Sequence, residues 1–148
     1  MATLAQIMDE LAVVIREAVA AVTDIDVQVD PRGFRAPSTP CIDMYPADPS
    51  DDQQYAAFGD LAGGELITVR ARVSTADAEA GEDLLLAFMD DEDPLSIWAA
   101  LEEDPTLNGL ANDVNVLNRS GYRDFPDLGG EGSFLGCLWT VVVLRAQS

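Results

Sequence analysis

The 148-residue chain contains no histidine and no lysine. A general base that works near neutral pH is most often a histidine, with an unperturbed pKa of about 6.5, so the commonest acid–base and nucleophile-activating arrangements are excluded. Schiff-base and phosphate-binding lysines are excluded with them, and the usual zinc ligands shrink to two cysteines and carboxylates. Positive charge is scarce throughout: 8 arginines face 27 acidic residues, for a formal net charge of −19. A polyanion is held by cations that displace its counterions, so a surface this acidic repels DNA, RNA and anionic membranes.

Other features are missing as well. Cys41 and Cys137 are far apart and show no CxxC spacing, so no metal knuckle or redox motif is indicated, and both read as small buried apolar residues. The first turns carry Asp9 and Glu10 with no basic region, unlike a secretory signal, and the apolar run Phe134 to Leu144 is too short to span a bilayer as a helix. The expectation is a soluble, cytoplasmic protein. With 48% hydrophobic residues, the chain is long enough for a single domain, 1–148, with a substantial core.

From Thr3 to Val22, apolar residues recur every three or four positions (Leu4, Ile7, Leu11, Val14, Ile15, Ala18, Val22), which predicts an amphipathic helix capped by Thr3. A short strand is expected over Ile25 to Val29, ended by Asp30-Pro31. The proline-rich stretch 31–49 leaves room for one extended segment, Cys41 to Tyr45, at a sheet edge. Glu65 to Thr75 alternates Ile67, Val69, Ala71 and Val73 with Thr68, Arg70, Arg72 and Ser74, which predicts a half-buried strand. Ser74 or Thr75, with Asp77, caps a second helix running to about Met89, with Leu84, Leu85 and Phe88 inward.

Asp93-Pro94 reads as an N-cap and first helical residue for a third helix through Leu95, Trp98 and Leu101, stopped at Asp104-Pro105. Asp113 to Asn118 is the next strand. Ser133 to Arg145 is the longest, apolar on both faces, as suits a central strand or a subunit contact. The order predicts an α+β fold: a mixed, largely antiparallel sheet of four to five strands, with the N-terminal helix and two further helices packed mainly on one face. Long loops are expected at about 46–64 and 119–132.

Few motifs suggest chemistry. Asp90, Asp91, Glu92 and Asp93 are hard-cation ligands by type but lack the alternating spacing that turns several side chains onto one ion; a solvated turn fits them better. Glu102, Glu103 and Asp104 end a helix before proline and read as exposed. Gly129, Gly130 and Gly132 lead into a strand with no following lysine, so a flexible connection is the better reading than a phosphate loop. No catalytic, cofactor or metal residues are assigned. Tyr55, Phe58, Tyr122 and Phe125 fall in the two long loops and are candidate subunit or partner contacts, with packing onto their own domain the alternative. Asp51, Asp52, Asp90, Asp91 and Glu92 are candidate exposed acids.

From Gly64 onward the succession of residues resembles the tail terminator family of long-tailed bacteriophages, also called tail-completion or minor tail proteins. The resemblance is carried by LITVRARVSTADAEAGEDLLLAFM, PLSIWAALEEDPTLNGLANDVNV and FLGCLWTVVVL. Its most specific part runs from Trp98-Ala99-Ala100-Leu101-Glu102 through Asp104-Pro105-Thr106-Leu107-Asn108-Gly109-Leu110 to Asp113-Val114, and Leu135-Gly136 before Trp139-Thr140-Val141 also fits. The stretch from about Pro31 to Gly64 and the loop from Arg119 to Gly132 look longer than the family core.

What the resemblance implies is a ring, usually a hexamer, on the end of the tail tube. It would stop tube polymerisation and join the tail to the head's connector or neck protein, while DNA passes through without specific binding. It implies no enzyme activity, no cofactor and no membrane, and a place at the tail–head junction of the virion. A neck component is the near alternative. An acidic DNA mimic that occupies a DNA-binding protein is the alternative from a different class, motivated by the absence of any arginine between Arg72 and Arg119.

Overall fold

The structure, a computed structural model, describes residues 2–33, 40–47, 64–74, 78–126 and 133–146. Helix α1 spans Leu4–Ala20. Its start is a capping box: the Thr3 hydroxyl accepts the Gln6 N–H at 3.1 Å, and the Gln6 side-chain oxygen accepts the Thr3 N–H at 2.9 Å. Ile7, Leu11, Ile15 and Val19 form its buried stripe, whereas Val22 lies beyond the helix and is exposed.

Strand β1 is only Gln28–Val29, shorter than the Ile25–Val29 expected. The Thr23 hydroxyl accepts the Ile25 N–H at 3.1 Å, which bends the chain there and leaves Ile25 exposed. β1 runs parallel to β2, Cys41–Pro46, and pairs only with Cys41 and Ile42. β2 is therefore second from the edge among the described residues, with β1 paired to its outer side at Cys41 and Ile42.

β3, Gly64–Ser74, runs antiparallel to both β2 and β6, Ser133–Arg145. On the far side of β6 lie β4, Ala111–Arg119, and β5, Arg123–Pro126, end to end and both antiparallel to it. The sheet order is β1-β2-β3-β6-β4, with β5 also on β6. Among the described residues six strands thus form a mixed, mostly antiparallel sheet, one more than the upper expectation, with β3 in the middle of the order and β6 paired on both sides, next to the β4–β5 border. The added strand is β5, which falls within the stretch expected to be a long loop.

Helices α2, Ala78–Met89, and α3, Ile97–Glu103, join α1 on one face. Their inward residues Leu84, Leu85, Phe88, Ile97 and Leu101 share one apolar core with Ile42, Met44, Ile67, Val69, Val114, Trp139, Val141 and Val143 of the sheet. The start of α3 differs from expectation. The Asp93 carboxylate accepts the Leu95 N–H at 2.9 Å and the Asp93 carbonyl accepts the Ser96 N–H at 2.9 Å, so Asp93-Pro94 makes a turn. Ser96 then caps the helix by accepting the Ala99 N–H at 3.1 Å.

The opposite face of β3 also departs from the half-buried expectation. Thr68 and Arg72 on that face are 8% and 5% exposed, and Leu66 is buried too. The period of two marks which residues share a face, not whether that face meets water.

Candidate assembly surface

The two lateral edges of the sheet are chemically different. On the β1 side the terminal strand is two residues long. On the other side β4 and β5 lie end to end along β6, with no further strand among the described residues. Such a border is a template for strand addition unless something blocks it. Here carboxylates occupy part of it: Asp113 accepts the Val114 N–H at 3.0 Å, and Glu102 of α3 reaches over to the Val116 N–H at 3.4 Å.

Where β4 passes into β5 the border is interrupted. Arg119 pairs with Trp139 and Arg123 with Gly136, so Ser120, Gly121 and Tyr122 oppose only Leu138 and Cys137. The surplus residue makes a bulge, held by Ser120, whose N–H donates to the Leu138 carbonyl at 2.8 Å and whose hydroxyl accepts the Leu138 N–H at 2.9 Å. Arg119, Tyr122 and Arg123 are all exposed there. Partial burial, followed by the nearby Glu82 and Asp83 carboxylates, raises the Tyr122 phenol above its ordinary pKa, and Glu82 also hydrogen-bonds it.

A second polar cluster lies across the sheet on the face away from the helices. Asp43 is fully buried and accepts from Arg70 at 2.9 and 2.5 Å and from Arg72 at 3.0 Å. The Arg70 guanidinium lies between the rings of Tyr45 and Phe125, 5.3 and 5.7 Å from their centroids, and Arg72 lies 5.7 Å from that of Phe134. The hydrogen bonds to Asp43 raise the Arg70 pKa further. Cys41 beside this cluster has its thiol pushed up, chiefly by burial, as does Cys137 on the opposite face. Both cysteines are free and buried.

The sequence-predicted residues divide accordingly. Tyr55, Phe58, Asp51 and Asp52 lie outside the described residues, as do the glycines of 129–132. Tyr122 is 40% exposed on the edge bulge, whereas Phe125 is half-buried with its ring against Gly136 and Arg70. Asp90, Asp91 and Glu92 are exposed in the turn after α2, where the Asp90 carboxylate accepts the Glu92 N–H at 2.9 Å. Glu102 and Glu103 are exposed as well. Among the described residues no group of three or more cysteine, aspartate or glutamate side chains is placed to hold a metal ion.

Sequence reading missed Arg119 and Arg123, because a bulge leaves no periodic signal. It also missed the Asp43 cluster, where alternation alone put Arg70 and Arg72 on a solvent face. The motif Asp104 to Leu110 proves to be a structural device: Leu107, Asn108 and Gly109 all have positive φ, at 47°, 56° and 92°, and this left-handed turn drives Leu107 fully into the core before β4 begins.

Compared with known proteins, the chain matches no protein-family model and no curated protein. Among the described residues no helix is long and apolar enough to cross a membrane.

Proposed function

We propose that this chain is a structural virion protein that forms a ring, a hexamer by resemblance, capping the tail tube of a long-tailed phage. The ring ends tube polymerisation and joins the tail to the head connector. The observation that carries this reading is the block from Trp98 to Val114, whose residues resemble the tail terminator family and make up α3, the left-handed turn and the start of β4. That block leads into β4, the first strand of the long border of the sheet.

The two unlike edges support the same reading. A ring needs head-to-tail contacts between different patches of each copy, and an edge of two residues facing one of two end-to-end strands supplies different patches. The charge fits a conduit: acidic side chains on a channel wall repel phosphates over a Debye length of about 8 Å, so the genome slides instead of sticking. Asp51, Asp52, Asp90, Asp91 and Glu92 are the proposed wall or exposed acids.

Deletion of the gene from the phage is expected to leave tails of uncontrolled length that fail to join heads. Joined tails of normal length would contradict the reading. The acidic stretch between Arg72 and Arg119 keeps a DNA-mimic inhibitor as the second reading. It predicts competition with DNA for a host nuclease or repressor.

A further inference from the structure

We infer that Asn108 is a site of spontaneous covalent modification, deamidating onto the Gly109 nitrogen when the left-handed turn opens, and that the closed turn holds this reaction off.

The chain's asparagines are Asn108, Asn112, Asn115 and Asn118, and of these Asn108 alone is followed by glycine. In the reaction the main-chain nitrogen of Gly109 attacks Cγ of Asn108. The N–Cγ bond forms, the Cγ–Nδ2 bond breaks, and Nδ2 leaves as ammonia with the proton given up by the Gly109 N–H. Water then opens the succinimide: attack at Cγ gives aspartate, and attack at the main-chain carbonyl gives isoaspartate. Glycine favours the first step because no Cβ crowds its nitrogen. Asn108 and Gly109 are both exposed, and a Cβ built on Gly109 would meet no atom within 4 Å, so water and base reach the site. Asn112, Asn115 and Asn118 lie instead within β4 and precede Asp113, Val116 and Arg119.

Two features of the closed turn oppose the attack. Asn108 has φ 56°. In that left-handed region ψ is about +30 to +60°, which turns the following nitrogen away from the Cβ, so ring closure requires rotation about the Cα–C bond. The attacking nitrogen must also lose its proton, and the Gly109 N–H donates to the Thr106 carbonyl at 2.9 Å. The Ala111 N–H donates to the same carbonyl at 2.9 Å, and Leu107 between them is fully buried. Rotation at Asn108 therefore pulls on the bonds that pin the start of β4. Short exposed segments open at a lower free energy than the whole fold, so the rate of conversion reads the opening of this turn.

The isoaspartate product makes the opening permanent. Its main chain passes through Cβ of position 108 and is one carbon longer there. Closing the turn around that carbon displaces either Leu107 from the core or Ala111 from its pairing with Arg145. Aspartate keeps the chain length and, like asparagine, tolerates the left-handed region.

Peptide mass spectrometry of the full chain, held in mildly alkaline buffer with and without denaturing urea, tests this. In urea Asn108 should convert at least tenfold faster than Asn112, Asn115 or Asn118. In the folded chain its conversion should be at least tenfold slower than in urea, and Leu107→Ala, which removes the buried anchor of the turn, should bring the folded rate up towards the unfolded one. The isoaspartate form, separated by ion exchange, should melt below the unmodified protein, whereas Asn108→Asp should melt with it. An Asn108 no faster than the other asparagines in urea would overturn the site. Equal rates in the folded and unfolded chain, or a folded rate unmoved by Leu107→Ala, would overturn the protection by the turn, and an isoaspartate form as stable as wild type would overturn its consequence.

Discussion

The ring of Phe125 fills the space that a side chain at Gly136 would need: a Cβ built there falls 2.5 Å from Phe125 Cε2 and 2.5 Å from the Ala71 carbonyl oxygen. The glycine lets β5 lie close to β6 and lets Phe125 press on the sheet beside Arg70. Gly136→Ala is therefore expected to destabilise the fold by about 1–3 kcal/mol, the usual range for overpacking. Adding Phe125→Ala should recover only part of this, because the clash with backbone at Ala71 remains. Urea unfolding of the single and double variants measures both.

Asp43 compensates two guanidiniums in the body of the sheet. Removing a partner from a buried ion pair leaves uncompensated charge, at a cost of roughly 3–5 kcal/mol. Asp43→Ala should reach that range in urea unfolding. Combining it with Arg70→Met and Arg72→Met should return much of the loss, since an apolar replacement leaves no charge to solvate.

Gly109 has φ +92°, and a Cβ at this position would meet no atom within 4 Å. Gly109→Ala thus creates no clash, and its cost, about 1 kcal/mol, comes from backbone conformation alone. Leu107→Ala, two residues earlier, empties a fully buried site and should cost about 2–5 kcal/mol. The contrast in thermal melts separates turn conformation from core packing.

Burial raises the pKa of both thiols above the ordinary value of 9.0. The unfolded chain therefore loses these protons first on going alkaline, and the folded state binds more protons than the unfolded one. Their stabilising contribution is complete below about pH 9 and declines above it, by at most about 1.4 kcal/mol per pH unit for each thiol. Unfolding free energies between pH 8 and pH 10 should fall less steeply for Cys41→Ala with Cys137→Ala than for wild type. Below pH 8 native protein should resist thiol alkylation.

The long strands and helices were legible because each leaves a period in the sequence. Ser133–Arg145 alternates, and Ile7, Leu11 and Ile15 recur on one side of α1. What was not legible depends on single hydrogen bonds. The Asp93 turn shifts α3 to Ile97, and the Thr23 hydroxyl shortens β1. The bulge after Arg119 hides β5 by breaking the alternation that would have continued β4. Composition shows how scarce arginine is but not that Arg119 and Arg123 flank that break.

The central claim is a ring at the end of a tail tube, and electron microscopy of the intact particle tests it most directly. The account predicts a closed ring of this chain at the tail–head junction, around a channel walled by acidic side chains. A particle in which this chain is absent from that junction, or lines it with a neutral or basic wall, would contradict it.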